Sequence, residues 1–157
     1  MKYDIQFLNQ SVEISNQNML ANKGGPFGAV IIKNGKVISE GSNLVTSTND
    51  PTAHAEVTAI RNACKNLNTF DLSGCEIYSS CEPCPMCLSA IYWARLDKIY
   101  FANTRSDAAA IGFDDDFLYQ EIPKNIADRK IECIHVHSDF AKNVFNDWQL
   151  KQDKIAY

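Results

Sequence analysis

Apolar residues between positions 4 and 20 recur at helical spacing. Ile5, Leu8, Val12 and Met19 form one stripe with polar residues between them, which predicts an amphipathic helix. Asn22-Lys23-Gly24-Gly25-Pro26 ends it, and the period then changes. Ala29 to Lys33 is a short apolar run, Asn34-Gly35 a tight hairpin turn, and Lys36 to Ser42 the returning strand. Residues 43–50 are polar and predict a loop. Asp50 as a cap, with Pro51 at the first helical position, predicts a second long helix whose inner face carries Val57, Ile60 and Cys64. Asp71-Leu72-Ser73-Gly74 is a turn, Cys75 to Ser79 a strand, and Pro85 opens a helix running to about Ala94. Lys98 to Ala102 predicts a further strand and the alanine-rich stretch after Asp107 a short helix. Residues 112–119 read as an aromatic, acidic loop. Residues 131–137 alternate like a strand, and Ser138 caps a last helix bearing Phe140, Val144 and Trp148. Residues 149–157 show no clear period.

Five strands interleaved with helices predict an α/β fold: a three-layer α/β/α arrangement around a central mixed five-stranded sheet. The 157 residues suit one domain spanning 1–157, and no linker, repeat or low-complexity tract interrupts them. Ala29 to Ile32, the longest apolar run, is too short to cross a membrane. The Met-Lys-Tyr-Asp start does not resemble an export signal, so the expectation is a cytoplasmic protein without membrane contact. Fifteen basic and nineteen acidic residues leave a net charge of -4, and no Lys/Arg run exceeds two residues. Proteins that grip nucleic acid by its phosphates usually carry a basic surface. The charge therefore points to a small-molecule partner rather than nucleic acid.

Cysteine changes the picture most. Of the six, three fall within Cys81-Glu82-Pro83-Cys84-Pro85-Met86-Cys87, a crowding that in a reducing compartment signals metal or redox chemistry. Cys64, Cys75 and Cys133 are expected to be small buried hydrophobes. His54-Ala55-Glu56, followed after one strand by Pro83-Cys84-Pro85-Met86-Cys87, matches the zinc-deaminase signature, in which one His and two Cys hold the ion and a Glu moves protons. His54, Cys84 and Cys87 leave a fourth tetrahedral position open, as catalytic zinc requires. Glu56 would lie about 200° from His54 around a regular helix, so both must reach out from the first turn. Two other readings of these residues stay open. Cys81 as a fourth ligand would make a closed structural zinc site in a protein that is not an enzyme, and Cys84-x-x-Cys87 could be a redox pair. Cys133, His135 and His137 share one face of the predicted strand and are expected to be partly buried near an interface, a second metal cluster being the alternative.

These motifs resemble the cytidine and deoxycytidylate deaminase superfamily and, within it, the small bacterial guanine deaminases. The likeness runs through Gly24-Gly25-Pro26-Phe27-Gly28-Ala29, Asn49 to Glu56, Ser80 to Cys87, Tyr92-Trp93-Ala94-Arg95 and Gly112-Phe113-Asp114-Asp115. It implies a cytidine deaminase-like fold, one zinc per subunit, and hydrolysis of guanine to xanthine and ammonia with Glu56 as the proton shuttle. It further implies Phe27 as the ring stacking on the base, Asn43 as the amide that hydrogen-bonds it, and Asp115 as the carboxylate that reads its N–H edge. The same resemblance implies a homodimer in which residues 149–157 are exchanged, Tyr157 closing the partner's pocket. Related enzymes acting on adenosine in tRNA or on cytosine share the zinc motifs, and are the alternative within the superfamily.

Overall fold

The structure, a computed structural model, describes residues 3–156. Two compact units meet in the chain between Phe117 and Leu118. In the first, helix α1 (Ile5–Leu20) starts where the Asp4 carboxylate accepts the Gln6 N–H at 2.9 Å. The Tyr78 hydroxyl accepts the Asp4 N–H at 3.1 Å and pins this start to the sheet. Strands β1 (Gly28–Lys33) and β2 (Lys36–Ser42) form the expected hairpin. Asn34 and Gly35 take φ values of 52° and 72°, the doubly left-handed turn that matches strand twist. Strands β3 (Cys75–Cys81) and β4 (Lys98–Asn103) complete a sheet in the order β2-β1-β3-β4. β1 is antiparallel to both neighbours, and β3 and β4 are parallel, so the sheet is mixed.

Alternation along these strands divides the core. Ala29, Ile31, Cys75 and Ile77 face α3 (Ala55–Leu67) and α4 (Pro85–Trp93), packing with Ala59, Ala63 and Ile91. Val30, Ile32 and Tyr78 face the other way, against Phe7, Leu8 and Ile14 of α1. The first unit is therefore three-layered. Gly41 lets α3 settle directly on β2: a Cβ there would stand 2.2 Å from the Ala55 carbonyl oxygen and 2.4 Å from the Ala59 nitrogen.

Four expectations are corrected. Among the described residues the sheet has four strands, not five. Residues 131–137 alternate in sequence but make no ladder bonds with any described residue, and Ile131, Ile134 and Val136 are exposed. An alternating pattern becomes a strand only where a neighbouring edge receives it. The second long helix starts at Ala55, not Pro51, because the Asp50 carboxylate instead accepts the Thr52 N–H at 2.8 Å and its hydroxyl at 2.6 Å, closing a tight turn. The polar stretch 43–50 contains a single helical turn, α2 (Val45–Thr48). After α5 (Arg105–Ala110), capped by Thr104 and Asp107 in a reciprocal capping box, the acidic loop passes into α6 (Asp116–Glu121).

In the second unit a 3-10 turn (Ile126–Asp128) leads to the extended residues and then to α7 (Asp139–Leu150), where the Ser138 hydroxyl accepts the Ala141 N–H at 3.2 Å. Among the described residues no helix is long and apolar enough to cross a membrane.

Candidate active site

Two helix starts build the reactive centre. His54 and Cys84 are the N-cap residues of α3 and α4, both extended, with φ/ψ of -69°/158° and -63°/167°. Neither side chain is used to cap its own helix, so both are free to point at a common target. Cys87 enters from the third residue of α4 and is fully buried. Its Sγ and that of Cys84 each lie 3.5 Å from His54 Nδ1. The angular difficulty for Glu56 dissolves here. Since His54 precedes the first helical residue, its direction is set by extended backbone, and Glu56 in the first turn can face the same space.

Glu56 is 6% exposed, and its Oε1 accepts the Ser79 hydroxyl at 3.1 Å from β3. Burial pushes this carboxyl above the usual range, with the nearby Cys84 charge adding to the effect. A carboxyl raised in this way is a better proton acceptor than a free one and lies where a proton can be passed on. Cys84 is drawn down to about 4, chiefly by hydrogen bonding from the Cys87 thiol, with His54 and the Cys87 N–H assisting. Cys87 is pushed up in turn by that same bond and by burial. His54 is raised, first through its bond to Cys84. The three side chains thus favour a Cys84 thiolate beside the His54 imidazole at the positive ends of two helices.

A cavity of about 430 Å³ opens onto this centre. Phe27 and Phe113 form one wall, ring centroids 4.9 Å apart and planes at 90°. Asn43 is buried, and its Oδ1 accepts the N–H groups of Gly25 and Val45, each at 3.3 Å. That leaves the NH₂ end of its carboxamide for the cavity it lines. Asp115 also lines the cavity and is half-buried, its carboxyl raised first by that burial. Asp114 is exposed and its carboxylate accepts the Asp116 N–H at 2.9 Å. The structure thus brings His54, Glu56, Cys84, Phe27, Asn43 and Asp115 to one cavity. Tyr157 lies outside the described residues. Sequence reasoning missed Phe113, Glu82 and Arg105 as lining residues. Glu82 accepts the Arg105 N–H at 3.0 Å, tying α5 to the segment carrying the cysteines, a pairing with no local signal in the chain.

Residues 1–103 match the model of the cytidine and deoxycytidylate deaminase zinc-binding region, two thirds of the chain. The chain belongs to the cytidine and deoxycytidylate deaminase family. Guanine deaminase of Bacillus subtilis is 50% identical over 151 residues, covering 96% of this chain and 97% of that protein. Its X-ray structure superposes with a TM-score of 0.96 over 99% of both chains, at 48% identity. A tRNA-specific adenosine deaminase of Aquifex aeolicus is 49% identical over 77 residues, covering 49% of this chain and 51% of its own. A structure holding 2,6-diaminopurine matches with a TM-score of 0.67 and 35% identity, covering 69% of this chain and 61% of its own.

The donor set of this deaminase suits the family's metal. The candidate ligand atoms of His54, Cys84 and Cys87 all lie within 4.8 Å of one another. Tetrahedral zinc with bonds of about 2.0 Å to nitrogen and 2.3 Å to sulfur has N···S edges of about 3.5 Å, the separation found for both cysteines. Cys81 stands apart. It is buried, its thiol donates to the Thr104 carbonyl at 3.6 Å, and burial holds it up at about 11. Among the described residues no second group of three His, Cys, Asp or Glu side chains gathers as a metal site. Cys133, His135 and His137 are exposed, His137 facing Asp139 at 3.1 Å. Cys64 is half-buried and Cys75 fully buried, as expected of small hydrophobes, whereas the exposure of Cys133 corrects its grouping with them.

Proposed function

We propose that the chain hydrolyses guanine to xanthine and ammonia. The observation that carries this reading is the likeness to guanine deaminase over 96% of the chain in sequence and 99% in structure, which runs well past the zinc-binding region at residues 1–103. His54, Cys84 and Cys87 would hold the zinc, which would supply Lewis acidity and make water a nucleophile near neutral pH.

The chain's own groups then handle the base and its protons. Phe27 stacks on the purine, with the edge of Phe113 bracing that ring. The Asn43 amide donates to an acceptor on the base, and the Asp115 carboxylate accepts from its N–H edge. Glu56 takes a proton from the water attacking C2, delivers it to the adjacent ring nitrogen, and passes a second proton to the departing amine. The C2–N bond breaks as the C2–O bond becomes a carbonyl, so guanine and water become xanthine and ammonia. Ser79 supports this traffic by donating to the Glu56 carboxylate and holding it against the sheet.

The working unit of this reading is a homodimer of single 1–157 domains, each lending residues 149–157 to its neighbour so that Tyr157 closes the neighbour's pocket. Enclosure of this kind excludes water and strengthens every charge inside. The chain is expected to work in the cytoplasm on the free base.

Ammonia release from guanine, adenine, cytosine and a tRNA anticodon stem, measured on one zinc-quantified sample, tests the assignment. Turnover of guanine is expected. Activity on the tRNA with none on guanine would overturn it.

A further inference from the structure

One buried side chain outside the reactive centre is spent entirely on the cavity wall. Asn18, near the end of α1, is 6% exposed. Its Nδ2 donates to the Asn43 carbonyl at 2.8 Å and to the Gly25 carbonyl at 3.2 Å. Those are the only two N–H bonds a carboxamide can donate. Gly25 passes the constraint on. Its carbonyl also accepts the Phe27 N–H at 2.8 Å, and its own N–H holds Asn43 Oδ1 at 3.3 Å. The Asn43 N–H in turn reaches the Phe27 carbonyl at 3.2 Å. A closed circuit of Asn18, Gly25, Phe27 and Asn43 results. Gly24 makes room for it, since a Cβ there would stand 2.1 Å from the Asn43 carbonyl oxygen.

We propose that Asn18 is a positioning residue for base recognition, fixing the Asn43 carboxamide and the Phe27 ring in the orientation that the purine meets. This rests on the guanine reading above and adds to it a residue that touches neither base nor metal. The physical reason is the asymmetry of buried hydrogen bonds: removing the donor strands the buried Asn43 carbonyl and leaves the Gly25 carbonyl with the Phe27 N–H alone. The Asn43 backbone regains a partner by shifting or by admitting water, and either loosens the recognition amide and ring. A shift of that kind weakens binding more than it disturbs Glu56, which is held from β3 instead.

Steady-state kinetics on guanine with full-length, zinc-loaded protein test the proposal. Asn18→Ala and the near-isosteric Asn18→Leu are expected to raise KM about tenfold and to change kcat less than about threefold, with zinc content unaltered. In the double variant Asn18→Ala/Asn43→Ala, KM should match that of Asn43→Ala within about twofold, because both act through one amide. A wild-type KM in either folded single variant, or KM factors that multiply in the double variant, would overturn it. If Asn18→Ala does not fold, Asn18→Ser, with one donor retained, is expected to show an intermediate KM, and a wild-type value there counts against the proposal. Wild-type protein that turns over another base but not guanine would strike the proposed function alone. The same KM pattern would then be read on that base.

Discussion

Glu56 gathers the properties of a proton carrier: near-complete burial, a single hydroxyl donor at Ser79, and a place on the cavity beside the three metal-binding side chains. Glu56→Gln keeps the shape and the hydrogen bond from Ser79 but removes the capacity to accept a proton. We expect kcat to fall by about 10²–10⁴ with zinc content unchanged, measured as ammonia release beside metal analysis. A wild-type rate would remove Glu56 from the mechanism. The ligands predict a different pattern. Stripping the metal with a chelator should abolish activity and lower Tm, since binding only to the folded state stabilises it, and added Zn²⁺ should restore both. A protein that stays active after its zinc is shown to be gone would contradict the metal assignment. These residues were legible in the chain because ligand chemistry demands particular side chains at particular short spacings. Phe113 and Arg105 were not, because reaching a cavity from a loop or a helix start leaves no periodic trace.

At the scale of elements, the reactive geometry depends on how α3 and α4 begin. The sequence carried the hairpin turn and the Pro85 start of α4 plainly, since Asn-Gly and helix-opening Pro have few alternatives. It misled at Asp50-Pro51, where two cap-like residues close a turn and leave the true N-cap position to His54. That displacement is functional: a histidine with extended backbone can turn its ring toward Cys84 and Cys87. The depth at which α3 sits is controlled by Gly41. Gly41→Ala would drive a methyl group into the Ala55 carbonyl and the Ala59 nitrogen, and is expected to cost about 1–3 kcal/mol in urea denaturation, with reduced zinc retention as His54 and Glu56 shift. Unchanged stability and zinc affinity would show that α3 can retreat without penalty. The alternating 131–137 segment failed as a strand for the opposite reason: its pattern is clear, but it makes no ladder bonds with any described residue.

For the whole molecule, α1 covers one face of β1 and β3 while α3 and α4 cover the other, an arrangement that the order of helices and strands along the chain already implied. The role of the last residues was not implied in this way, since 149–157 carry no period. If they serve a neighbouring subunit, removing the final residues should sharply lower activity while leaving zinc bound, and full activity in the truncated protein would refute that role. The order of the site along the chain has a consequence for how such proteins can be altered. Every group that handles metal or protons is in place by Cys87, as are Phe27 and Asn43, whereas Arg105, Phe113 and Asp115 line the same cavity from the stretch after β4. Contacts to the base are therefore drawn from two separate stretches of the chain, and only the later one can be exchanged without touching the hydrolytic machinery: a graft of 104–117 from a relative with another preference is expected to shift the choice of base while zinc content stays unchanged.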